Sequence, residues 1–167
     1  MSAQVAFLLG SDSDFPAVEK GIALLRRLQV DVEVEVSSAH RTPERTLEIV
    51  RACEKSGVQV IVAAAGGAAH LPGVVAGHTL LPVLGVPMAS ALSGLDSLLA
   101  MVQMPAGVPV AVFGIGESGA VNAALFAAEM LAGGDPGLRE RLQSYRAEQR
   151  QAVLAKDRRL KERLAKE

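Results

Sequence analysis

The sequence is poor in aromatic residues and has one long region without positive charge. Its 167 residues include no tryptophan, one tyrosine and four phenylalanines, so the core has to be built from aliphatic side chains and alanine. Residues 56–138 contain no lysine or arginine. Charged side chains normally cover the surface of a soluble protein. We therefore expect other subunits to cover much of this region, and its glycines and His70 favour a small-molecule pocket there.

The sequence is also poor in cysteine and histidine, and its first residues are not typical of a signal peptide. Cys53 is the single cysteine, which excludes a disulfide framework and is typical of a small buried side chain. The three histidines are scattered singly, so no metal site is predicted. Residues 1–4 carry no positive charge and no apolar run is long enough to cross a bilayer. We expect no signal peptide, no membrane association and a cytoplasmic location.

Positive charge is concentrated at the end of the chain. Residues 139–167 hold ten of the 17 basic residues, although the net charge is −1. A basic tail could bind nucleic acid. Here the bases alternate with acids and with apolar residues at helical spacing, including Leu138, Leu142 and Tyr145. A helix that is solvated or packed on a partner is the better interpretation, and no nucleic-acid partner is expected.

Apolar runs alternate with helical patterns along the chain, which predicts one α/β domain over residues 1–167 with helices on both faces of a parallel sheet. Residues 30–36 alternate strictly between valine and acid, so this strand is expected near an edge. Asp14 is expected to cap the first helix. The predicted strands are 5–9, 30–36, 58–65, 80–84 and 108–115. The predicted helices are 14–28, 42–55, 68–76, 95–102, 119–132 and about 136–163.

Polar or glycine-rich loops follow four of these strands, at residues 10–14, 37–43, 65–70 and 85–87. Ligands of such sheets bind beyond the carboxyl ends of the strands. Serine hydroxyls and free N–H groups in the first loop favour an anion, and a carboxylate such as Asp14 suits a ribose diol. A simple helix cap is an equally good interpretation of that loop taken alone. The loop matches neither a P-loop nor a dinucleotide fingerprint.

The second loop places His40 beside Arg41. An arginine can hold a phosphate by two hydrogen bonds, and histidine is the side chain best suited to exchanging protons near neutral pH. A surface pair that caps the next helix is the structural alternative. His70, in the apolar third loop, fits a core residue, a pocket wall or an interface group. His78 lies outside any motif and is assigned to structure.

Together these segments resemble the class I N5-carboxyaminoimidazole ribonucleotide mutases of purine (IMP) biosynthesis, in the phosphoribosylaminoimidazole carboxylase catalytic subunit family. The resemblance spans residues 5 to 145. Two departures from the family pattern are a loop at 86–92 that is one residue shorter and a Phe113-Gly114 pair in the last strand. The matching segments are residues 10–14, 38–43, 65–73, 81–87, 92–98, 102–110 and 122–125.

The resemblance implies a three-layer flavodoxin-like fold, assembled as a homo-octamer, with a protruding C-terminal helix that packs on a neighbouring subunit. It implies an isomerase that moves a carboxylate from the exocyclic N5 of an aminoimidazole ribonucleotide to ring C4, without cofactor or metal. His40 would be the general acid and base. The implied substrate-binding residues are Ser11, Ser13, Asp14, Ser38, Ala39, Arg41, Gly66, Gly67, Ala68, His70 and Leu71.

Two other functions stay open on the sequence. A class II aminoimidazole ribonucleotide carboxylase would use CO2 directly and share the histidine loop, but it differs from this chain at residues 66–72. A flavodoxin-like module that binds a mononucleotide without chemistry would need the first loop but not His40 on the same edge.

Overall fold

The computed structural model describes residues 3–165, as five strands and six helices. One turn of 3-10 helix, Asp12–Asp14, precedes the first α-helix. The strands are β1 (Val5–Leu9), β2 (Val32–Val36), β3 (Val60–Ala65), β4 (Val83–Pro87) and β5 (Ala111–Val112). The helices are α1 (Phe15–Arg27), α2 (Pro43–Ser56), α3 (Leu71–Ala76), α4 (Leu95–Val102), α5 (Glu117–Leu131) and α6 (Pro136–Leu164).

The five strands form one parallel sheet in the order β2-β1-β3-β4-β5. This is the strand order of flavodoxin-like folds, so the predicted α/β class is confirmed. The strands β1, β3 and β4 are buried along their whole length, whereas β2 is partly exposed throughout. The alternating valine and acid pattern therefore identified the edge strand correctly.

Both faces of the sheet are covered by helices. On one face, the side chains of Ala6 and Leu8 belong to an apolar cluster with residues of α2, α3 and α4. Because side chains alternate along a strand, Phe7 points to the opposite face. There α1 and α5 approach closely, since a Cβ added to Gly21 would lie 2.7 Å from the backbone oxygen of Ala120.

Three predicted elements differ clearly from the observed ones. The strand expected at 80–84 begins at Val83, because Pro82 precedes it and Leu80 is fully exposed. The strand expected at 108–115 is reduced to Ala111–Val112, on the sheet edge. Pro109 has no N–H to donate to a ladder. The helix expected at 68–76 begins at Leu71.

The chain divides into two compact units, the first ending at Ala128 and the second beginning at Glu129. The second unit holds the end of α5 and the whole of α6. The carboxylate of Asp135 caps α6 by accepting from the Leu138 N–H at 2.9 Å, and Arg146 pairs with Glu129 at 2.5 Å. Within residues 3–165, no helix is long and apolar enough to span a membrane.

Candidate active site

A cleft of about 220 Å³ lies at the carboxyl ends of β1, β2 and β3. Backbone hydrogen bonds beyond the regular ladders hold the loops that form it side by side. Ser37 N–H donates to Leu9 O at 2.9 Å, and Gly10 N–H donates to Ala64 O at 2.9 Å. The loops that follow β1, β2 and β3 therefore meet at one edge, as the sequence predicted. Residues 85–87, predicted as a fourth loop at this edge, belong instead to β4 and do not line the cleft. The lining residues are Gly10, Ser11, Asp14, Ser38, Ala39, His40, Ala65, Gly66, Ala69, His70 and Leu71.

Eight of the predicted site residues line this cleft, and four lie beside it without lining it. The four are Ser13, Arg41, Gly67 and Ala68, each adjacent in sequence to a lining residue. The lining adds Gly10, Ala65 and Ala69 to the predicted set. All three lie within the motifs at strand ends. Their position at the end of a strand is the sequence feature that could have placed them in the predicted set.

The loop after β1 is held by its own serines. Ser13 Oγ donates to Ser11 Oγ at 2.7 Å, and Ser13 N–H donates to Asp12 Oδ1 at 3.0 Å. Ser11 caps the 3-10 turn, and Asp14 makes no side-chain cap bond to α1. Asp14 stands at the N-cap position of α1, as predicted, but its carboxylate makes no cap bond and lines the cleft instead. Burial raises the pKa of the Asp14 carboxyl.

The loop after β2 is built around Thr42. The Thr42 hydroxyl accepts from Ser38 N–H at 3.1 Å and donates to Ser38 O at 3.1 Å. Arg41 N–H donates to Ser38 Oγ at 3.2 Å. These bonds use backbone groups and the Ser38 hydroxyl to fix the turn. The Arg41 side chain is exposed, at the rim of the cleft rather than in its wall.

The loop after β3 contains two residues in the left-handed region, Gly67 (φ 65°) and Ala69 (φ 47°). Such a φ is uncommon for alanine, and strained backbone of this kind is concentrated at functional sites. The turn is closed by Ala69 N–H donating to Gly66 O at 3.2 Å, and His70 follows at the start of α3. The prediction of helix from residue 68 was wrong because this turn carries the chain across the end of the sheet.

The two loop histidines meet in the cleft. His40 Nε2 lies 2.7 Å from His70 Nδ1, and the rings pack edge to face with centroids 4.9 Å apart. A hydrogen bond between two ring nitrogens requires that one of them carry a lone pair. The contact therefore determines which ring nitrogen carries a proton in each of the two histidines. Of the three interpretations that the sequence left open for His70, the structure shows a pocket wall in contact with His40.

The site is suited to an anionic ligand and to proton transfer. The β1 and β2 loops supply hydroxyls, the Asp14 carboxylate and the His40 imidazole, whereas the β3 loop supplies a wall of alanine and glycine that ends at His70. No three His, Cys, Asp or Glu side chains in residues 3–165 are grouped so that they could hold a metal ion. Fold and cleft together define a flavodoxin-like α/β protein with a histidine pair in the cleft at the carboxyl ends of its strands.

Comparison with known proteins gives the family. The sequence model of the AIR carboxylase family matches residues 4–152, and the chain belongs to that family. An N5-carboxyaminoimidazole ribonucleotide mutase of Haemophilus influenzae is 51% identical over 154 residues, 92% of this chain and 94% of the relative. The mutase of Pyrococcus abyssi is 54% identical over 144 residues, 86% of this chain and 82% of the relative.

Solved structures agree with the fold. The crystal structure of Treponema denticola PurE superposes with a TM-score of 0.84 at 25% identity, covering 93% of this chain and 97% of the other. The predicted flavodoxin-like fold and the predicted family are both confirmed.

Proposed function

We propose that this chain is an N5-carboxyaminoimidazole ribonucleotide mutase, an isomerase of purine biosynthesis. The proposal is supported by relatives of that name at 50–54% identity over most of the chain. The single observation that carries it is that His40, the serine loop and the Gly66 wall all face one cleft. The substrate, a phosphorylated nucleotide, is retained inside cells, and on this ground we place the enzyme in the cytoplasm.

Binding is divided between the two sides of the cleft. We assign the ribose phosphate to Ser11, Ser13, Ser38 and the backbone around Ala39, with Arg41 reaching from the rim and Asp14 on the ribose hydroxyls. Phosphate oxygens suit hydroxyl and N–H donors of this kind. The imidazole and its carboxylate then lie against the opposite wall, formed by Gly66, His70 and Leu71, with Gly67 and Ala68 beside it. Glycine at 66 allows the substrate to approach the backbone closely.

In the proposed reaction His40 gives a proton to N5 as the N5–carboxylate bond breaks, which leaves the amine and CO2. The electron-rich C4 then attacks the CO2, and His40 removes the proton from C4 to restore the aromatic ring. One proton leaves His40 and one returns, so the reaction is balanced without oxidation or phosphoryl transfer, and we expect no cofactor. The apolar wall keeps CO2 close and excludes water, which gives the second step the advantage of proximity.

His70 acts in this scheme through His40. A 2.7 Å contact between their nitrogens orients the His40 ring and selects which of its nitrogens faces the substrate. A partner that fixes ring orientation and tautomer is a common requirement for a histidine that acts as acid and base. The separate binding role of His70 at the carboxylate is compatible with this, because the other ring nitrogen of His70 is not used in the contact.

An assay of the purified protein in the reverse direction tests the function. The C4-carboxylated nucleotide is supplied, with and without bicarbonate and an N5-carboxylating synthetase, and products are followed by NMR. The mutase is expected to form the N5-carbamate. Release of decarboxylated nucleotide and CO2 alone would instead indicate the class II carboxylase. Binding without turnover would refute both and favour a mononucleotide-binding module.

We also propose that the enzyme is a homo-octamer in which subunits cover apolar surface. Several aliphatic side chains around α4 are exposed on the described chain, among them Leu92 (65%), Leu95 (49%) and Val102 (56%). In α6, only Leu138 and Leu142 are buried, and Val153, Leu160 and Leu164 are exposed. These last three recur at helical spacing, which suits a face that packs on a neighbour. Light scattering coupled to gel filtration is expected to give eight chains, and a stable monomer would refute the assembly.

A further inference from the structure

The segment after β4 forms the back of the cleft wall. Met88 N–H donates to Ala65 O at 2.8 Å, which continues the β3–β4 pairing beyond the ladder. A Cβ added to Gly66 would lie 3.5 Å from Met88 Cβ and 3.8 Å from Ala89 O. Gly66 therefore rests directly on the backbone of residues 88 and 89. Any movement of that backbone changes the wall on which we place the reacting carboxylate.

Two side chains in the first turn of α4 hold this backbone. Ser97, which is fully buried, donates to Met88 O at 2.9 Å. Ser90 donates to Asp96 Oδ2 at 2.5 Å and its hydroxyl lies 3.3 Å from that of Ser97. The chain reaches α4 through Ser93 and Gly94, both in the left-handed region (φ 56° and 88°). The segment from 88 to 94 is thus a tight loop held to α4 by two contacts, the bond from Ser97 to Met88 O and the bond between Ser90 and Asp96.

The two oxygens of the Asp96 carboxylate have different surroundings, since Oδ2 accepts from Ser90 and Oδ1 does not. Its Oδ1 is buried and has no hydrogen-bond partner within residues 3–165. Leaving a buried acceptor unsatisfied is unfavourable, and an apolar side chain would avoid it. The hydrogen bond from Ser90 lowers the pKa of the Asp96 carboxyl, so the group is ionised near neutral pH. A carboxylate also suits the first turn of a helix, although that effect does not require its Oδ1 to be buried.

We propose that Asp96 is a positioning residue for the reaction, which through Ser90 fixes the Met88–Ala89 backbone behind Gly66 and so shapes the wall that retains CO2. The inference rests on the proposed mutase function. Asp96 lines no part of the cleft and touches no predicted substrate group, so it acts through the wall alone. The nucleotide side of the cleft, on the β1 and β2 loops, does not depend on this contact.

The proposal predicts a defect in CO2 retention rather than in nucleotide binding. The variants are Ser90→Ala, Asp96→Ala and their combination, assayed with substrate labelled with ¹³C in the N5-carboxylate. Each single variant is expected to lower kcat roughly tenfold or more, since small misplacements in a site have effects of this order. More of the label is expected to leave as CO2 for each C4-carboxylated product formed. Affinity for the nucleotide, measured by calorimetry, is expected to stay the same.

Controls separate positioning from general damage. Ser90→Thr retains the hydroxyl and is expected to restore the product ratio. Asp31→Asn alters an exposed carboxylate beside β2, at the opposite edge of the sheet, and is expected to change nothing. The double variant is expected to resemble the single ones, because residues that act through one contact are not additive. Gel filtration with light scattering checks that each variant keeps its assembly.

Hydrogen exchange of the amides at residues 66–69 gives a readout independent of turnover. Exchange is expected to be faster in the Ser90→Ala and Asp96→Ala proteins than in the wild type or Asp31→Asn. An unchanged ratio of CO2 to product in both single variants, or unchanged exchange, would overturn the positioning role. If the wild type itself forms no N5-carbamate, the proposed function fails, and the exchange measurement still decides whether Asp96 holds the wall.

Discussion

Replacing His70 by leucine is the most direct test of the histidine pair. The contact between His40 Nε2 and His70 Nδ1 is 2.7 Å long and joins two loops that are otherwise connected through the sheet. Leucine has a similar bulk but cannot donate or accept. The His40 ring then keeps its place on the β2 loop and loses the group that fixes its orientation and tautomer.

The expected effect follows from the energy of one hydrogen bond. A hydrogen bond of this kind contributes about 0.5–1.5 kcal/mol. If all of it is used to orient His40 in the transition state, its loss lowers kcat by roughly twofold to tenfold, since about 1.4 kcal/mol corresponds to a factor of ten. A residue that itself transfers the proton contributes more, about 10²- to 10⁴-fold. His40→Asn is therefore expected to have by far the larger effect, with nucleotide binding retained.

The assay compares kcat and KM of His70→Leu, His70→Asn and His40→Asn under identical conditions. His70→Asn offers an amide in place of the imidazole and is expected to recover part of the loss. His78→Asn is the matched control, because His78 is exposed and outside the cleft. A His70→Leu enzyme as inactive as His40→Asn would refute the merely supporting role and assign His70 a direct part in the reaction. An active His40→Asn enzyme would refute the mechanism.

Three further predictions concern binding and stability. Arg41→Ala is expected to weaken nucleotide binding about tenfold to a hundredfold with little change in kcat, because a charged hydrogen bond contributes about 1.5–3 kcal/mol. Calorimetry measures this affinity, and an unchanged value would remove Arg41 from the site. Asp14→Asn is expected to raise the melting temperature of the unliganded protein at pH 7. Burial raises the pKa of Asp14 in the folded protein, so the folded state holds this proton more tightly than the unfolded chain does. The resulting stabilisation by the protonated carboxyl is complete below about pH 3.8 and is lost as pH rises through the folded pKa. The gain in melting temperature from Asp14→Asn should therefore vanish in acid. Gly21→Ala is expected to lower the free energy of unfolding by about 1–3 kcal/mol in urea titration, because its Cβ would overlap the Ala120 oxygen.

Much of the fold was predictable from local pattern. The helix predicted at about 95–102 is observed as Leu95–Val102, and the edge position of β2 followed from its alternation of valine and acid. Predictions failed where tertiary context overrides local preference. The run at 108–115 is apolar enough for a long strand, yet its regular ladder with β4 has two pairs, Leu84–Ala111 and Gly85–Val112, and isolated backbone bonds from Phe113 and Gly116 follow. The turn at 66–70 depends on left-handed residues, one of them alanine, which no propensity anticipates.

The sequence by itself determined the class of fold, the edge of the sheet that carries the candidate site and most of the residues that line it, because periodicity and strand-end loops are local properties of the chain. It did not contain the order of the strands. His40 and His70 follow β2 and β3, which flank β1, and their loops meet over its end; only that order brings the two rings to hydrogen-bonding distance. The bond between Ser90 and Asp96 likewise exists because the chain turns back on α4 behind Gly66. Interactions of this kind depend on packing between segments, and tertiary structure alone decides them.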